Sequence, residues 1–354
     1  MSDKKKRAKR IRKLILTLIF IAINVAVIVM TASNEFGNSK DASEFSEISI
    51  NWWYLLPAAL CFIGMILLEV AKYVLMIVKT ADRTDIKRPA AWKLAWRTVM
   101  LGRYYDRVTP AAVGGQPFQI YHMRKSGMVS RGMASAIPVF GMISGQIAFL
   151  LIAIPCFIIG GFSGENSLLL VTAWFGLLFY AFWPLMVASA TFLPKPTTKL
   201  IKSFVKLLAK LKIVKNRDAA LDKIETEISE YVRYTRMILK SGKMFGGVIV
   251  MSIISNLLIS FVPFFVLTAF GGNVGFGSCL ILTVAVESAV YFIPTPGNSG
   301  AAEGTFYVVF SALSTGYVFW AMLFWRLFSY YIYIMVGPLI YLKMYLENKR
   351  GKHV

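Results

Sequence analysis

Long apolar runs dominate this sequence and restrict it to folds in which lipid surrounds whole helices. Seven runs approach or exceed the about 20 residues that an α-helix needs to cross a bilayer. They are residues 14–32, 53–78, 133–159, 168–193, 244–270, 278–293 and 317–342. The composition agrees, because 57% of the residues are hydrophobic and 16% are charged, against about 45–50% and about 25% in soluble domains. We therefore predict an all-α integral membrane protein.

Positive charge is distributed unevenly along the chain and predicts its orientation. Of the 39 lysines and arginines, 36 lie in residues 1–13, 79–132, 194–243 and 343–354. These segments alternate with connections that hold a single lysine, Lys40. Because basic connections stay on the cytoplasmic side of a membrane, we predict about eight transmembrane helices with both termini in the cytoplasm.

The basic segments also divide the chain into parts. The first apolar run is expected to be an uncleaved anchor, because it is longer than the about 7–15 apolar residues of a signal peptide. The central insert alternates lysines and leucines at helical spacing, which suits either an interfacial helix on anionic headgroups or a cytoplasmic helical hairpin. The predicted parts are a basic N-terminus (1–13), membrane half 1 (14–193), the insert (194–243), membrane half 2 (244–342) and a cytoplasmic tail (343–354).

Each membrane half contains one segment that proline and glycine exclude from a regular helix. The first, 109–117, contains Thr109, Pro110, Gly114, Gly115, Gln116 and Pro117, and the second, 294–303, contains Pro296, Gly297, Gly300 and Glu303. Non-helical backbone at membrane depth is tolerated only where protein buries it or where it lines a polar cavity. We therefore predict two re-entrant segments that border a pathway, with backbone amides suited to an anion. One break per half is compatible with pseudo-symmetric halves. The apolar stretch 304–313 is expected to extend a helix that begins in the second break.

Charged residues near these breaks are the candidate site. Arg103, Asp106 and Arg107 precede the first break, and His122, Arg124 and Lys125 follow it, which predicts a cationic rim for a phosphate. Glu287 and Arg326 lie near the middle of apolar runs, where a charge needs a partner or a wet cavity. We expect Arg326 to pair with Glu287 or Glu303. Glu69 and Lys72 are spaced to pair with each other in a structural role.

Several functions are disfavoured by what the sequence lacks. The basic residues flank apolar runs without a groove-reading motif, so we expect no nucleic acid partner, and the anionic inner leaflet accounts for the charge. No Gly-x-x-x-x-Gly-Lys-Ser/Thr motif for ATP occurs in the sequence. The three cysteines, Cys61, Cys156 and Cys279, have neither metal nor disulfide spacing. We expect no catalytic residues, no metal and no cofactor.

The two breaks together resemble a known family. The pattern Thr-Pro-x-x-x-Gly-Gly-Gln-Pro at 109–117, Pro-x-Pro-Gly-x-x-Gly-x-x-Glu at 294–303, then Arg326 with Tyr330 and Tyr331, and finally Gly337, is similar to the lysylphosphatidylglycerol synthetase transmembrane-region family. That family includes the flippase portion of the bacterial multiple-peptide-resistance proteins. The resemblance spans essentially residues 10 to 345. Two positions depart from it: many relatives have a Glu-Arg pair where this chain has 140–146, and Asn298 replaces a usual glycine.

The resemblance implies a flippase-like or scramblase-like transporter that moves a phospholipid or a polyprenyl-linked headgroup across a bacterial plasma membrane. Two-part members of the family add a soluble aminoacyl-transferase domain, and the residues after Lys343 are too few for one, so translocation rather than synthesis is expected here. Lipid transport implies membrane lipids as partners, including the translocated lipid. It also allows a second copy of the chain or a lipid-synthesising enzyme as a partner. A membrane enzyme acting on lipid or glycan substrates and a transporter of small solutes are the alternatives.

Overall fold

The fold is a bundle of α-helices in the part of the chain that the structure describes. This computed structural model describes residues 50–80, 86–112, 114–160, 167–193, 232–311 and 317–349, with scattered positions between 195 and 229. The predicted first span, the basic N-terminus, most of the insert and the end of the tail lie outside the described residues. The helices are α1 (Leu55–Thr80), α2 (Arg88–Val108), α3 (Gly115–Ser126), α4 (Arg131–Ile159), α5 (Ser167–Phe192), α6 (Gly242–Ala269), α7 (Phe276–Val290), α8 (Ala301–Ser311), α9 (Val318–Arg326) and α10 (Ile332–Lys349).

Five described segments are long and apolar enough to cross a membrane. They are Trp52–Lys79, Arg131–Ile159, Val171–Ser189, Gly242–Ala269 and Val318–Glu347. The last one joins α9 to α10 through a π-helical turn, Leu327–Tyr331. Their apolar side chains are partly exposed, for example Ile159 and Leu178, as expected for helix faces that contact lipid tails rather than water. The prediction of an all-α membrane protein is confirmed.

Helix α7 is shorter than the apolar run that predicted it. It contains 15 residues, and α8 contains 11, which correspond to lengths of about 22 Å and about 16 Å. Neither length covers the about 30 Å of a hydrocarbon core. As predicted, α8 begins at the end of the second break. Helices α7 and α8 pack against each other, and a 3₁₀ turn, Pro296–Asn298, lies in the connection between them.

The first break has the same arrangement. Helices α2 and α3 pack against each other and are joined through a 3₁₀ turn, Pro110–Ala112. Helix α2 also packs against α1 and α10. We call α2 with α3 the first hairpin and α7 with α8 the second hairpin. The 3₁₀ turns of the two hairpins contact each other, so segments separated by almost 200 residues form one junction.

Backbone hydrogen bonds gather several helix ends at one end of the bundle. The N–H of Asn51, just before α1, donates to the carbonyl of Ala269 at the end of α6 over 2.9 Å. The N–H of Tyr317, just before α9, donates to the carbonyl of Phe270 over 3.1 Å. The segments around 50, 270 and 317 therefore share one end. This arrangement agrees with the charge pattern, which assigns 33–51 and 271–277 to the same side.

Candidate functional site

A buried ion pair holds the second break. Arg326, at the end of α9, donates from Nε to Glu303 Oε1 over 2.6 Å, and the two residues are only 4% and 2% exposed. The other carboxylate oxygen of Glu303 accepts the backbone N–H of Gly300 at 2.7 Å. Hydrocarbon solvates neither charge, so each compensates the other. Of the two partners predicted for Arg326, the structure selects Glu303 rather than Glu287.

Arg326 also fixes the irregular backbone of the break. Its Nη2 donates to the carbonyl of Gly297 at 3.2 Å and to Ser299 Oγ at 3.0 Å. Its guanidinium carbon lies 4.7 Å from the centroid of the Tyr330 ring, within the range of a cation–π interaction. Arg326 therefore supplies two hydrogen bonds to a segment that lacks those of a regular α-helix.

The backbone angles explain the residue types in this turn, which begins at Pro296. Gly297 and Asn298 have φ values of +60° and +56°, in the left-handed region. A Cβ on Gly297 would lie 2.3 Å from Tyr330 Cε2, so position 297 requires glycine. Asparagine tolerates left-handed angles better than other residues with a Cβ. This tolerance gives a physical account of an asparagine at position 298.

The first break is stabilised by its own side chains. Thr109 Oγ1 accepts the N–H of Gly114 and Asp106 Oδ1 accepts the N–H of Gly115, each at 2.9 Å. These bonds cap the start of α3, whose first turn contains Gln116 and the exposed Pro117; Pro110 begins the preceding 3₁₀ turn. The prediction that the amides here bind an anion is wrong for these two groups, because the chain itself uses them.

Arg107 lies where the two breaks meet. Its Cγ is 3.5 Å from the position that a Cβ on Gly297 would occupy. It donates from Nε and Nη2 to the carbonyl of Ser329, at 3.2 and 3.0 Å, and its guanidinium lies 4.9 Å from the Tyr333 ring. Ser329 belongs to the π-turn, where the widened backbone makes carbonyl groups available. Arg107 therefore joins the first hairpin to the last span.

A second buried network surrounds Lys72, which is 1% exposed. Its ammonium donates to Glu69 Oε1 at 2.8 Å, to the carbonyl of Gly141 at 3.2 Å and to Ser252 Oγ at 3.1 Å. Arg103 Nη2 lies 3.4 Å from Glu69 Oε2. The predicted Glu69–Lys72 pair is therefore present. It also engages Arg103, which was predicted to border the pathway.

Sequence reasoning missed the polar partners of this network. Ser252 donates to Ser144 Oγ at 3.1 Å, and Ser255 donates to Glu69 at 3.2 Å. Gly141 and Ser144 lie in 140–146, the segment in which the sequence departs from the expected family pattern. The only available signal was the small polar residues within apolar runs, which commonly mark contacts between membrane helices.

Glu287 differs from Glu69 and Glu303 because it forms no salt bridge or hydrogen bond with the described residues. It is half-buried on α7. The structure therefore does not bring Glu287 into the pair of Glu303 and Arg326.

His122 does not belong to a cationic rim. It is buried on α3, which lies outside the five spans, and its ring is parallel to that of Phe118, with centroids 6.1 Å apart. Burial, with smaller contributions from Arg97 and Lys125, lowers the pKa of His122 to about 4. The imidazole is therefore neutral near pH 7, and it contributes no positive charge to the first break.

The helices and buried charges define a multi-pass helical membrane protein with two packed hairpins and an ionised interior. The chain belongs to the family described as the lysylphosphatidylglycerol synthase transmembrane region, whose sequence profile matches residues 11–337. No curated protein and no solved structure matches the chain. The predicted resemblance is confirmed, and it places the protein in a lipid-related context.

Proposed function

We propose that this protein moves a lipid with a phosphate-containing headgroup across a bacterial plasma membrane. The two hairpins border the passage from opposite sides of the bilayer, as re-entrant segments whose tips meet within it. Family membership supports the lipid, and the short lengths of α7 and α8 support the re-entrant arrangement. The sequence has no nucleotide-binding loop, so movement is downhill or coupled to an ion gradient.

The observation that carries the proposal is the bonding state of Arg107. Lys72, Arg103 and Arg326 each form a salt bridge with a glutamate. Arg107, in contrast, forms no salt bridge with the described residues: its hydrogen bonds go to one carbonyl oxygen, and its guanidinium lies over the Tyr333 ring. At the junction of the two irregular segments, this guanidinium has further N–H groups that can donate hydrogen bonds. Such a group suits a phosphate, which accepts charge-assisted hydrogen bonds.

Translocation of a labelled phospholipid in proteoliposomes tests this role. We expect Arg107→Gln to slow the movement by about tenfold or more, because a charge-assisted bond to phosphate is lost. Arg97→Gln is the matched control: Arg97 lies near the middle of the same helix, away from the break, and pairs with Glu347 on α10. Equal rates for the wild type and Arg107→Gln would contradict the proposed site.

The same vesicles distinguish transport from catalysis. Mass spectrometry of the lipids after the assay is expected to return only the lipids that were added. A new covalent product formed from an aminoacyl or nucleotide-sugar donor would instead identify a membrane enzyme. Stabilisation by a water-soluble solute in the absence of lipid would identify a solute transporter.

A further inference from the structure

The buried network around Lys72 has the chemical composition of a cation-binding site. The ammonium has three acceptors, and all of them are oxygen atoms of different kinds: the carboxylate of Glu69, the backbone carbonyl of Gly141 and the hydroxyl of Ser252. Oxygen ligands of these kinds hold hard cations in proteins, including the sodium ions of membrane transporters. In this chain, the cation at the centre of the ligands is a side chain.

Each of the three acceptors lies on a different helix. Glu69 is on α1, Gly141 is on α4 and Ser252 is on α6, and the three helices pack against one another. Helix α4 approaches α1 closely at Gly141, where a Cβ would lie 2.8 Å from Cε2 of Tyr73. Since α1 and α4 belong to the first membrane half and α6 to the second, the positive charge of Lys72 connects the two halves.

The hydroxyl groups of the network are oriented for a cation. Ser252 donates its proton to Ser144 Oγ at 3.1 Å, and Ser144 donates to the carbonyl of Gly141 at 2.8 Å. A hydroxyl group that donates away from the ammonium presents an oxygen lone pair to it. Ser255 donates to Glu69 Oε1 and so holds the carboxylate. The oxygens are therefore arranged in advance around one position.

The charges of the network suit a single positive charge in this position. The carboxylate of Glu69 is shared with Arg103, whose Nη2 lies 3.4 Å from Oε2. The next acid along α2, Asp106, accepts the N–H of Gly115 instead. Without Lys72, the charges of Glu69 and Arg103 cancel, and a divalent ion would leave two uncompensated positive charges in a poorly solvated place. A monovalent cation restores the charge that the network has with Lys72.

We propose that this network is a monovalent-cation site whose permanent occupant is the ammonium of Lys72. The tethered ammonium takes the place of an alkali ion and holds α1, α4 and α6 together whatever ions are in solution. The inference goes beyond the proposed function and does not depend on it. Its consequence for transport is that sodium does not enter this network, so any coupling to a sodium gradient uses another site.

Shortening Lys72 tests the inference, because Lys72→Ala leaves the oxygen ligands and vacates the space between them. Thermal unfolding of the full chain in detergent is compared in sodium chloride, ammonium chloride and choline chloride at equal ionic strength. Choline is too bulky for the vacated space. We expect Lys72→Ala to unfold about 2–4 °C higher in sodium or ammonium chloride than in choline chloride, the shift for a cation well above its dissociation constant.

Two controls separate binding in the site from a general effect of salt. Lys72→Met removes the same charge but fills most of the space, so it should unfold at one temperature in all three salts, as should the wild type. Lys72→Ala combined with Glu69→Gln lacks the carboxylate and should also lose the dependence on the cation. Sodium that stabilises the wild type, Lys72→Met or the double variant as strongly as Lys72→Ala would overturn the inference.

The response of the shortened variants decides the outcome. Equal unfolding temperatures of Lys72→Ala in the three salts would overturn the proposed site. If Lys72→Ala does not fold, Lys72→Ser is measured in the same salts with the same expectation, since its hydroxyl group keeps a polar partner for the network. Failure of both variants to fold in every salt would also overturn it, because a free cation then cannot replace the ammonium. A wild type without translocation activity would contradict the proposed function only.

Discussion

Arg326 shows how one side chain can stabilise backbone that lacks the hydrogen bonds of a regular α-helix. It contacts a carboxylate, a carbonyl, a hydroxyl and an aromatic ring at the same time. The sequence could predict that this charge needs a partner, because it lies within an apolar run. It could not select Glu303 over Glu287, since that choice depends on how the second hairpin folds back toward α9.

Removing one charge of the Glu303–Arg326 pair is expected to destabilise the protein more, per residue replaced, than removing both charges together. Glu303→Gln or Arg326→Met alone leaves one buried charge uncompensated, which costs roughly 3–5 kcal/mol. The double variant removes both charges, so its loss of stability should be smaller than the sum of the two. Unfolding in detergent measures this difference. Additive losses would show that the two residues act independently.

Gly297 is expected to tolerate no side chain. Gly297→Ala places a Cβ against Tyr330 in a left-handed conformation that itself costs about 1–2 kcal/mol, so thermal unfolding should occur at a lower temperature. Gly304→Ala is the control, because it lies on α8 with open space around its Cβ position. There, alanine should stabilise the helix by up to about 1 kcal/mol. Equal effects at both positions would contradict this account.

The helices were predictable because each apolar run has the length of a span and ends at charged or turn-forming residues. The runs 53–78, 133–159 and 244–270 correspond closely to α1, α4 and α6. The contact between the two 3₁₀ turns was not predictable, since no local pattern specifies which distant turn a hairpin meets. The π-turn also has no sequence signature in this chain.

The crossing of α5 and α7 gives a prediction about helix packing. Gly176→Ala would force the two backbones apart, because its Cβ position overlaps the Ser288 carbonyl, and such overpacking costs roughly 1–3 kcal/mol. Gly145→Ala on α4 meets no atom within 4 Å and is the control. The expected result is a lower unfolding temperature for Gly176→Ala only. If both variants unfold like the wild type, the helices do not cross as closely as described.

The distribution of charge alone predicts the orientation of the entire chain in the membrane. Helix α6 separates Ser241 from Asn273, and both residues are exposed. After the three native cysteines are replaced, Asn273→Cys should react with an impermeant maleimide on intact bacterial cells. Ser241→Cys should react only after the membrane is opened. The reverse pattern would invert the predicted topology.

The π-turn has a consequence for the history of the family. The π-turn Leu327–Tyr331 is wider than an α-helical turn and contains the Ser329 carbonyl that Arg107 binds. In a homologue with a regular α-helix here, we expect that this carbonyl would no longer face the guanidinium. The π-turn and the arginine should therefore be inherited together, and relatives that lack one should also lack the other.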